Sequence, residues 1–294
     1  MAILHSYHPT PILFQLGLIS IHWYALFIVL GILFGLFIVL RLSKHYGITA
    51  DDVYDLAFYL IIFSTLGARL YMIVLFPSFY LSNPLEIFKV WNGGLAIHGA
   101  ILFGVLTLYL YTKKKKQNFW FWGDIIVVAL ALGQAIGRWG NYFNQEVYGS
   151  PTNLPWGIPI DFVNRVSGYT QYEYFHPTFL YESILNFVLF FLLLSLHYLR
   201  IKNKERSGIG NQESVIRNKK IAGYRLLVTD YSRNGIIALV YLIGYSFIRI
   251  AMEQFRIDET QMVFGIRFPV LVSAGVIVTA VFIMARNAKR KAFF

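Results

Sequence analysis

The sequence contains no cysteine among its 294 residues. The chain therefore cannot form disulfide bonds, bind a metal ion through thiolates or use a cysteine nucleophile of its own. Any thiol that takes part in its chemistry must come from a substrate.

Charged residues are also scarce. Asp, Glu, Lys and Arg together make up 14% of the chain, whereas about 25% is usual for a soluble domain. Hydrophobic residues make up 57%, and they stand in continuous runs rather than in the alternation expected of an outer-membrane β-barrel. This composition is typical of a helical protein that crosses a membrane several times.

Hydrophobic runs of this kind predict the fold class. A helix needs about 20 mostly apolar residues to cross the hydrocarbon core of a bilayer. We therefore predict an all-α, polytopic integral membrane protein with about seven transmembrane helices, forming a single transmembrane domain over residues 1–294. The predicted spans are residues 21–42, 52–76, 95–112, 119–139, 177–199, 234–255 and 268–286.

The positions of Lys and Arg predict the orientation, because cations close to span ends are retained on the cytoplasmic side. Basic clusters follow the first, third, fifth and seventh spans, so we expect the N-terminus outside and the C-terminus in the cytoplasm. Residues 200–233 are then a basic cytoplasmic loop, and residues 140–176 a loop segment at the outer face. The clusters lack an aromatic stacking platform, which argues against a nucleic-acid partner.

Several ionisable residues fall inside the predicted spans, where each costs several kcal/mol unless it is paired or hydrated. On the predicted topology they gather toward the outer leaflet instead of crossing the whole membrane, as a proton or ion pathway would require. Each is therefore a candidate for a functional site. These residues are Arg69, His98, Arg138, Glu182, Arg249 and Glu253.

The densest polar group is GQAIGRWGNYFNQEVYG, residues 133–149. Gly137 and Gly140 flank Arg138, so the backbone there can approach a neighbour closely or leave helical geometry. A guanidinium with amide donors suits a phosphate, because Arg binds two oxygens at once. The alternative is a helix end with satisfied asparagine caps. The polar residues expected beside Arg138 are Asn141, Asn144 and Glu146.

The sixth span has a second polar pattern. Tyr245, Arg249, Glu253 and Arg256 follow one another at intervals of four, four and three residues, which places them within about 80° of one helix face. The alternative is an ion-pair ladder that only stabilises the helix.

Two further residues have competing interpretations. His98 lies between glycines in WNGGLAIHGA, where an imidazole could act as a general base near neutral pH or serve only as a hydrogen-bonded structural residue. Tyr24, beside Trp23, stands where interfacial aromatic residues anchor helices.

These motifs together resemble the prolipoprotein diacylglyceryl transferases. The segment GRWGNYFNQEVYG at 137–149 is similar to the most specific signature of that family, G-R-x-G-N-x-x-N-x-E-x-x-G. The resemblance continues along nearly the whole chain. It includes HWYALF near Tyr24, GARLY around Arg69, GGLAIHGA with His98, HPTFLYE at 176–182 and Y-x-x-x-R-x-x-x-E-x-x-R from Tyr245 to Arg256. His98-Gly99-Ala100 departs from the usual His-Gly-Gly, and the 200–233 loop is longer than expected.

The resemblance implies an enzyme of the bacterial cytoplasmic (inner) membrane. It would transfer the diacylglyceryl group of phosphatidylglycerol to the lipobox cysteine thiol in the signal peptide of a preprolipoprotein, which is the first step of lipoprotein maturation. Glycerol phosphate would be released, with no metal and no cofactor. On this basis the expected catalytic residues are His98, Arg138 and Arg249. The expected substrate-binding residues are Tyr24, Arg69, Arg138, Asn141, Asn144, Glu146, Gly149, Tyr245, Glu253 and Arg256.

The alternative is a transporter or channel for an anionic solute or lipid, which would use the same arginines as a binding site. The two classes differ in what happens to the lipid. The enzyme consumes phosphatidylglycerol, while a transporter leaves it intact.

The predicted topology can be tested directly. A reporter active only in the cytoplasm, fused after Phe294, should be active, and the same reporter fused before Met1 should not, because the basic clusters retain their span ends in the cytoplasm. The control is a fusion in the predicted outer segment, at Gly168, which should be inactive. An active reporter at Gly168 together with an inactive one at Phe294 would show that the orientation is the reverse of the one predicted.

Overall fold

The computed structural model describes residues 2–17, 19–90, 93–206 and 234–292. Nine α-helices occur in this part of the chain. They are α1 (Ala2–Ser6), α2 (Trp23–His45), α3 (Ala50–Leu75), α4 (Pro77–Ser82), α5 (Ile97–Lys114), α6 (Phe119–Phe143), α7 (Thr178–Arg206), α8 (Ile236–Glu253) and α9 (Phe268–Ala292). Three pairs of short antiparallel strands lie in the connections α1–α2, α6–α7 and α8–α9. They are β1 (Ile12–Leu16) with β2 (Ile19–His22), β3 (Ile158–Pro159) with β4 (Tyr174–Phe175), and β5 (Met262–Val263) with β6 (Ile266–Arg267).

A long helix occurs at each of the seven predicted spans. Six of them, α2, α3, α6, α7, α8 and α9, are long and apolar enough within the described residues to cross a membrane. Helix α5 is the exception, because His98 at its start and Lys113 and Lys114 at its end lower its mean hydropathy. The predicted all-α, multi-pass membrane fold is confirmed.

Two helix ends differ from the prediction in ways that matter for the site. Helix α6 continues to Phe143, so Arg138 and Asn141 are helical residues and do not lie in an irregular segment. Helix α8 ends at Glu253, so the prediction that Arg256 shares its helix face is wrong. The physical reason is a tertiary hydrogen bond, since the Ser150 N–H donates to the Phe255 carbonyl at 2.7 Å and draws the chain out of the helix.

The predicted cytoplasmic loop falls mainly outside the described residues. Helix α7 extends through the first part of it, to Arg206, and residues 207–233 are not among those described.

The described residues form two compact units. The first contains the chain up to Val39, residues 124–206 and residues 234–292; the second contains residues 40–123.

Glycines bring helices of the first unit close together. A Cβ atom on Gly31 of α2 would lie 3.4 Å from the Gly133 Cα of α6, and one on Gly140 would lie 2.5 Å from Cδ2 of Tyr24. On α8, a Cβ on Gly244 would lie 2.7 Å from a Leu189 methyl group of α7. A methyl group at Gly140 would collide with the Tyr24 ring and one at Gly244 with the end of the Leu189 side chain, whereas one at Gly31 would make ordinary van der Waals contact.

The connection between α6 and α7 has its own apolar core, also in the first unit. Strands β3 and β4 pair Ile158 with Phe175. Their side chains pack with aromatic residues from the end of α6 and the start of α7, and the buried members are Tyr142, Tyr148, Ile158, Ile160, Phe175 and Phe179. The predicted loop segment is therefore a packed structure.

Asp124, near the start of α6, anchors the opposite end of the same helices. Its fully buried carboxylate accepts hydrogen bonds from the backbone N–H groups of Gly235 and Ala238, both at 2.9 Å. It also pairs with Arg200 of α7 at 3.0 Å. The carboxylate thus caps the N-terminus of α8, where a negative charge is stabilised by the helix dipole.

In the second unit, α3 packs against α5 at a glycine contact. A Cβ on Gly67 would lie 2.3 Å from Cγ and 2.4 Å from Cβ of Phe103, so a larger residue would fit there only if Phe103 moved. Thr49 caps α3 by accepting from the Asp52 N–H at 3.2 Å. The glycine contact allows α3 and α5 to pack closely side by side, and the Thr49 cap stabilises the start of α3.

Replacing Asp124 by Ala should destabilise the protein by about 2–4 kcal/mol, because two buried N–H groups lose their acceptor and Arg200 loses a buried counter-ion. The measurement is thermal or denaturant unfolding of the purified protein in detergent. Asp55→Ala is the control: its carboxylate is 56% exposed and pairs with Lys115 at 3.5 Å, so the loss should stay within about 0.5 kcal/mol. Equal losses in both variants would contradict the anchoring role.

Candidate active site

Glu182, in the second turn of α7, is the centre of an arginine cluster in the first unit. The residue is 2% exposed. Its Oε2 pairs with the Arg138 Nε of α6, and its Oε1 lies 3.7 Å from an Arg249 Nη1 of α8. Arg256, just beyond α8, places Nη1 at 4.0 Å from the same Oε1. One buried carboxylate therefore faces three guanidinium groups.

Glu253 is a second buried carboxylate, at the last residue of α8, with its residue only 3% exposed. Its Oε2 lies 3.1 Å from the Arg249 Nη2, and its Oε1 accepts from the Arg267 Nε at 2.9 Å. Arg267 also donates to the backbone carbonyls of Arg256 and Asp258, at 3.2 and 3.0 Å. The end of α8 is thereby tied to strand β6.

Arg256 makes its closest contact with Asp258, through two hydrogen bonds of 2.7 and 3.0 Å. Burial opposes the ionised form of Asp258, but the hydrogen bonds and charge of Arg256 outweigh it, so the pKa of this carboxyl lies below its usual range. Burial likewise opposes the charged form of Arg256, and Asp258 outweighs it, which raises the pKa of the guanidinium. Both groups are therefore ionised at neutral pH.

A chain of polar side chains leads from Arg138 to the end of the signature motif. The Arg138 Nη1 donates to the Asn141 Oδ1 at 3.2 Å, and the Asn141 Nδ2 donates to the Glu146 Oε1 at 2.8 Å. Asn144 donates to the same Glu146 oxygen at 3.2 Å. The motif residues thus orient one another and the arginine.

Hydrogen bonding around Arg249 is incomplete. Within the described chain, Glu182 Oε1 and Glu253 Oε2 are buried without a hydrogen-bond partner, although both face Arg249 at ion-pair distance. The side chains of Arg138 and Arg249 are each 20% exposed. A ligand can therefore reach both guanidinium groups. The N–H groups of Arg249 are also not aligned for hydrogen bonds to either carboxylate.

Gly149 joins the two motifs. Its N–H donates to the His176 carbonyl at 2.9 Å, and it forms an antiparallel bridge with Arg256. A Cβ at this position would lie 2.8 Å from the His176 Cβ and 3.1 Å from the Phe255 carbonyl oxygen. Only glycine allows the end of the signature motif to pack against the end of α8 in this way.

The two predicted tyrosines lie in helices of the first unit. Tyr245 of α8 stacks on Tyr241, with ring centroids 5.9 Å apart. Tyr24, the second residue of α2, packs against Gly140 and is 38% exposed. Gly140 lies between Arg138 and Asn141 on α6, so Tyr24 packs against the stretch of helix that carries the polar chain.

Arg69 and His98 belong to the second unit. Arg69 is buried, and its five N–H donors all go to backbone carbonyls, those of Glu86, Ile87, Lys89, Gly93 and Gly94. Gly94, with φ of +68°, gives Arg69 the room to do so. His98 is exposed at the start of α5, with its ring 5.9 Å from that of Tyr71. Arg69 therefore supports the backbone of these residues. The substrate-binding role of Arg69 and the catalytic role of His98 both stay predictions.

The sequence motifs did not identify three members of the cluster as site residues. Glu182 stood out only as an ionisable residue in a span, and Asp258 and Arg267 not at all. Charge balance could have identified them, because several arginines buried at one membrane depth require carboxylates or further polar partners nearby. Asp258 and Arg267 lie outside any helical periodicity and are brought in by the β5–β6 hairpin.

Comparison with known proteins gives a consistent result. The sequence model described as "Prolipoprotein diacylglyceryl transferase" matches residues 11–211 and 218–286. A phosphatidylglycerol–prolipoprotein diacylglyceryl transferase of Synechocystis sp. is 37% identical over 254 residues, which are 86% of this chain and 81% of that protein. The protein of the same name from Synechococcus elongatus is 39% identical, with 86% and 79% covered.

A third relative of that name, from Prochlorococcus marinus, is 38% identical over 274 residues, or 88% of this chain and 84% of its own. The matches cover both the arginine cluster and the second unit. The chain therefore belongs to the prolipoprotein diacylglyceryl transferase family.

Proposed function

We propose that this protein transfers the diacylglyceryl group of phosphatidylglycerol to a prolipoprotein thiol. The relatives carry that activity in their names. The acceptor is the lipobox cysteine of the signal peptide. The thiolate sulfur attacks the glyceryl carbon, a C–S bond forms, and the bond from that carbon to the phosphate oxygen breaks. The electron pair leaves with glycerol phosphate, and the thiol proton passes to a base.

The observation that carries the proposal is the incomplete hydrogen bonding around Arg249. A bound phosphate that accepts from Arg249 and Arg138 would use donors that the two carboxylates leave unaligned. Negative charge grows on the leaving phosphate as the diester becomes a monoester, so fixed cations at this place stabilise the transition state more than the bound substrate. This is the role we assign to Arg138 and Arg249.

Glu182 and Glu253 position those cations. Each pairs with Arg249 while also holding a second arginine, so the guanidinium planes are fixed before the lipid arrives. Preorganised charge of this kind needs no rearrangement during the reaction. Arg256, bound to Asp258, completes the arrangement and is the most buried of the three arginines at Glu182.

The remaining predicted residues receive binding and positioning roles. Asn141, Asn144 and Glu146 form the hydrogen-bonded chain that holds Arg138, and Tyr24 packs against Gly140 in the same motif. Gly149 keeps the two motifs in contact, and Tyr245 lies one helical turn before Arg249 on α8. Arg69 supports the backbone at Ile87 and Gly93 in the second unit, shortly before His98.

The proposed setting is the bacterial cytoplasmic membrane, where both substrates occur as membrane components. The reaction balances without a metal ion or an organic cofactor, because no electrons are exchanged and the leaving group is stabilised by arginines. No nucleic acid takes part. A transporter that uses the same arginines is not favoured, since the named relatives are transferases.

Purified protein in detergent or vesicles, incubated with phosphatidylglycerol and a peptide that carries a lipobox cysteine, should yield a thioether-linked diacylglyceryl peptide by mass spectrometry. In this assay Arg138→Lys and Arg249→Lys should each lower kcat/KM by about 10- to 100-fold, because Lys keeps the charge but loses the planar two-donor geometry.

The control is Arg165→Lys. Arg165 donates to the Ile160 and Thr170 carbonyls outside the cluster, so the activity of this variant should stay within about twofold of that of the unmodified protein. Unchanged activity in both Lys variants of the cluster would contradict the phosphate-binding role.

His98→Gln tests the proton acceptor. If His98 accepts the thiol proton, the variant should lose turnover much more than lipid binding, and activity should recover partly as pH approaches about 8.5, where a free thiol ionises unaided. His45→Gln, at an exposed position at the end of α2, is the control and should leave the pH profile unchanged. Near-normal turnover of His98→Gln with the original pH profile would assign activation of the thiol to the arginines alone.

A further inference from the structure

The β5–β6 hairpin ends in an apolar residue that nothing in the described chain covers. Phe264 is 97% exposed, the highest value among the exposed large hydrophobic side chains of the described residues. It forms the two-residue turn with Gly265, between Val263 and Ile266, which pair across the hairpin. The tip therefore presents a whole aromatic ring to its surroundings.

The backbone at the tip makes Phe264 an unfavourable choice. Its φ is +50° and that of Gly265 is +74°, the geometry of a turn that favours Asn or Asp followed by Gly. A bulky residue at positive φ is a rare exception. A water-exposed turn of this geometry gains nothing from Phe, so the side chain must be stabilised by contacts outside the described chain.

The exposed apolar surface continues beyond the tip. Met262 is 59% exposed, Ile266 44% and Phe268 45%. Phe268 is the first residue of α9, and Val272, one turn further, is 47% exposed. Helix α9 is one of the membrane-crossing helices, and its exposed apolar side faces lipid. Ile266 and Phe268 thus lead directly into a helix whose exposed side faces lipid, while Met262, opposite Arg267, is exposed on the other face of the hairpin.

The chain length also keeps the tip near the membrane. Strand β6 leads directly into α9, so only residues 265–267 separate Phe264 from the first residue of the span. An extended chain advances at most about 3.6 Å per residue, which places the tip within about 14 Å of the start of α9. The polar interfacial layer of a bilayer is about 5–8 Å thick on each side, so the tip lies in this layer or within several ångströms of it.

We propose that the hairpin Met262–Arg267 is a membrane-interface anchor that inserts Phe264 among the lipid headgroups and upper acyl chains. Its other end carries Arg267, which donates to Glu253 and to the carbonyls of Arg256 and Asp258. The anchor therefore fixes the position of the arginine cluster relative to the bilayer surface. This proposal stands independently of the reaction that the cluster performs.

The absence of cysteine makes the test direct, because a single introduced cysteine is the only labelling site. Phe264→Cys is labelled with an environment-sensitive thiol-reactive fluorophore and reconstituted into phosphatidylethanolamine–phosphatidylglycerol vesicles. Quenching is measured with 5-doxyl lipids and with aqueous iodide. Val272→Cys, exposed one turn into α9, is the lipid reference at the depth of the 5-doxyl group, and Gln171→Cys, exposed and polar, is the aqueous reference.

We expect doxyl quenching at position 264 to approach that at 272 and to exceed that at 171 several-fold, with the reverse order for iodide. A label at 264 that behaves like the one at 171 would place the hairpin in water and overturn the proposal. Shielding from both quenchers would overturn it as well, because the tip would then be covered by protein.

A second pair of variants tests whether Phe264 itself is the anchor. A label at Met262→Cys is measured with Phe264 present and with Phe264→Asn, a residue that tolerates positive φ without strain. Loss of the aromatic ring should lower doxyl quenching at 262 by about twofold or more, while Phe264→Trp should preserve it. Unchanged quenching in the Asn variant would show that Phe264 does not hold the hairpin in the interface.

Discussion

The carboxylate of Glu182 is the interaction on which the arrangement of the site depends. It lies on α7 at a depth where an isolated charge costs several kcal/mol, and it faces guanidinium groups from α6, α8 and the segment after α8. Each arginine would repel the others without it, and each would be buried without a counter-ion. Three chain segments are thus held together by one side chain, and two of the cations remain reachable.

The same helices are tied by charge at both ends and by apolar packing between them. Asp124 and Arg138 are 14 residues apart on α6, and Glu182 and Arg200 are 18 apart on α7, which correspond to roughly 21 and 27 Å along a helix axis. Asp124 pairs with Arg200, and Arg138 with Glu182. These separations approach the thickness of the hydrocarbon core, so the polar contacts fall near its two boundaries and the costly middle remains apolar.

The arginine cluster is also held by two segments outside the membrane-spanning helices, the α6–α7 connection and the β5–β6 hairpin. The connection from α6 to α7 packs its own aromatic core and binds the end of α8 through Gly149 and Ser150. The β5–β6 hairpin supplies Arg267 to Glu253. Short extended pieces are suited to this task, because their backbone groups pair across chain segments and bring side chains from distant positions to one place.

The sequence alone determined the fold class, the positions of seven long helices and the family, since hydrophobic length and motif spacing are local properties of the chain. It also placed Arg138, Arg249 and Glu253 among the candidates, because buried charge is visible in any hydrophobic run. Tertiary structure decided the rest. Arg256 left the predicted helix because a backbone hydrogen bond from Ser150 competes with the helical one. Glu182 became the centre, Arg69 was committed to backbone carbonyls, and Arg267 joined the cluster because ion pairing depends on distance in space, which spacing along the chain does not specify.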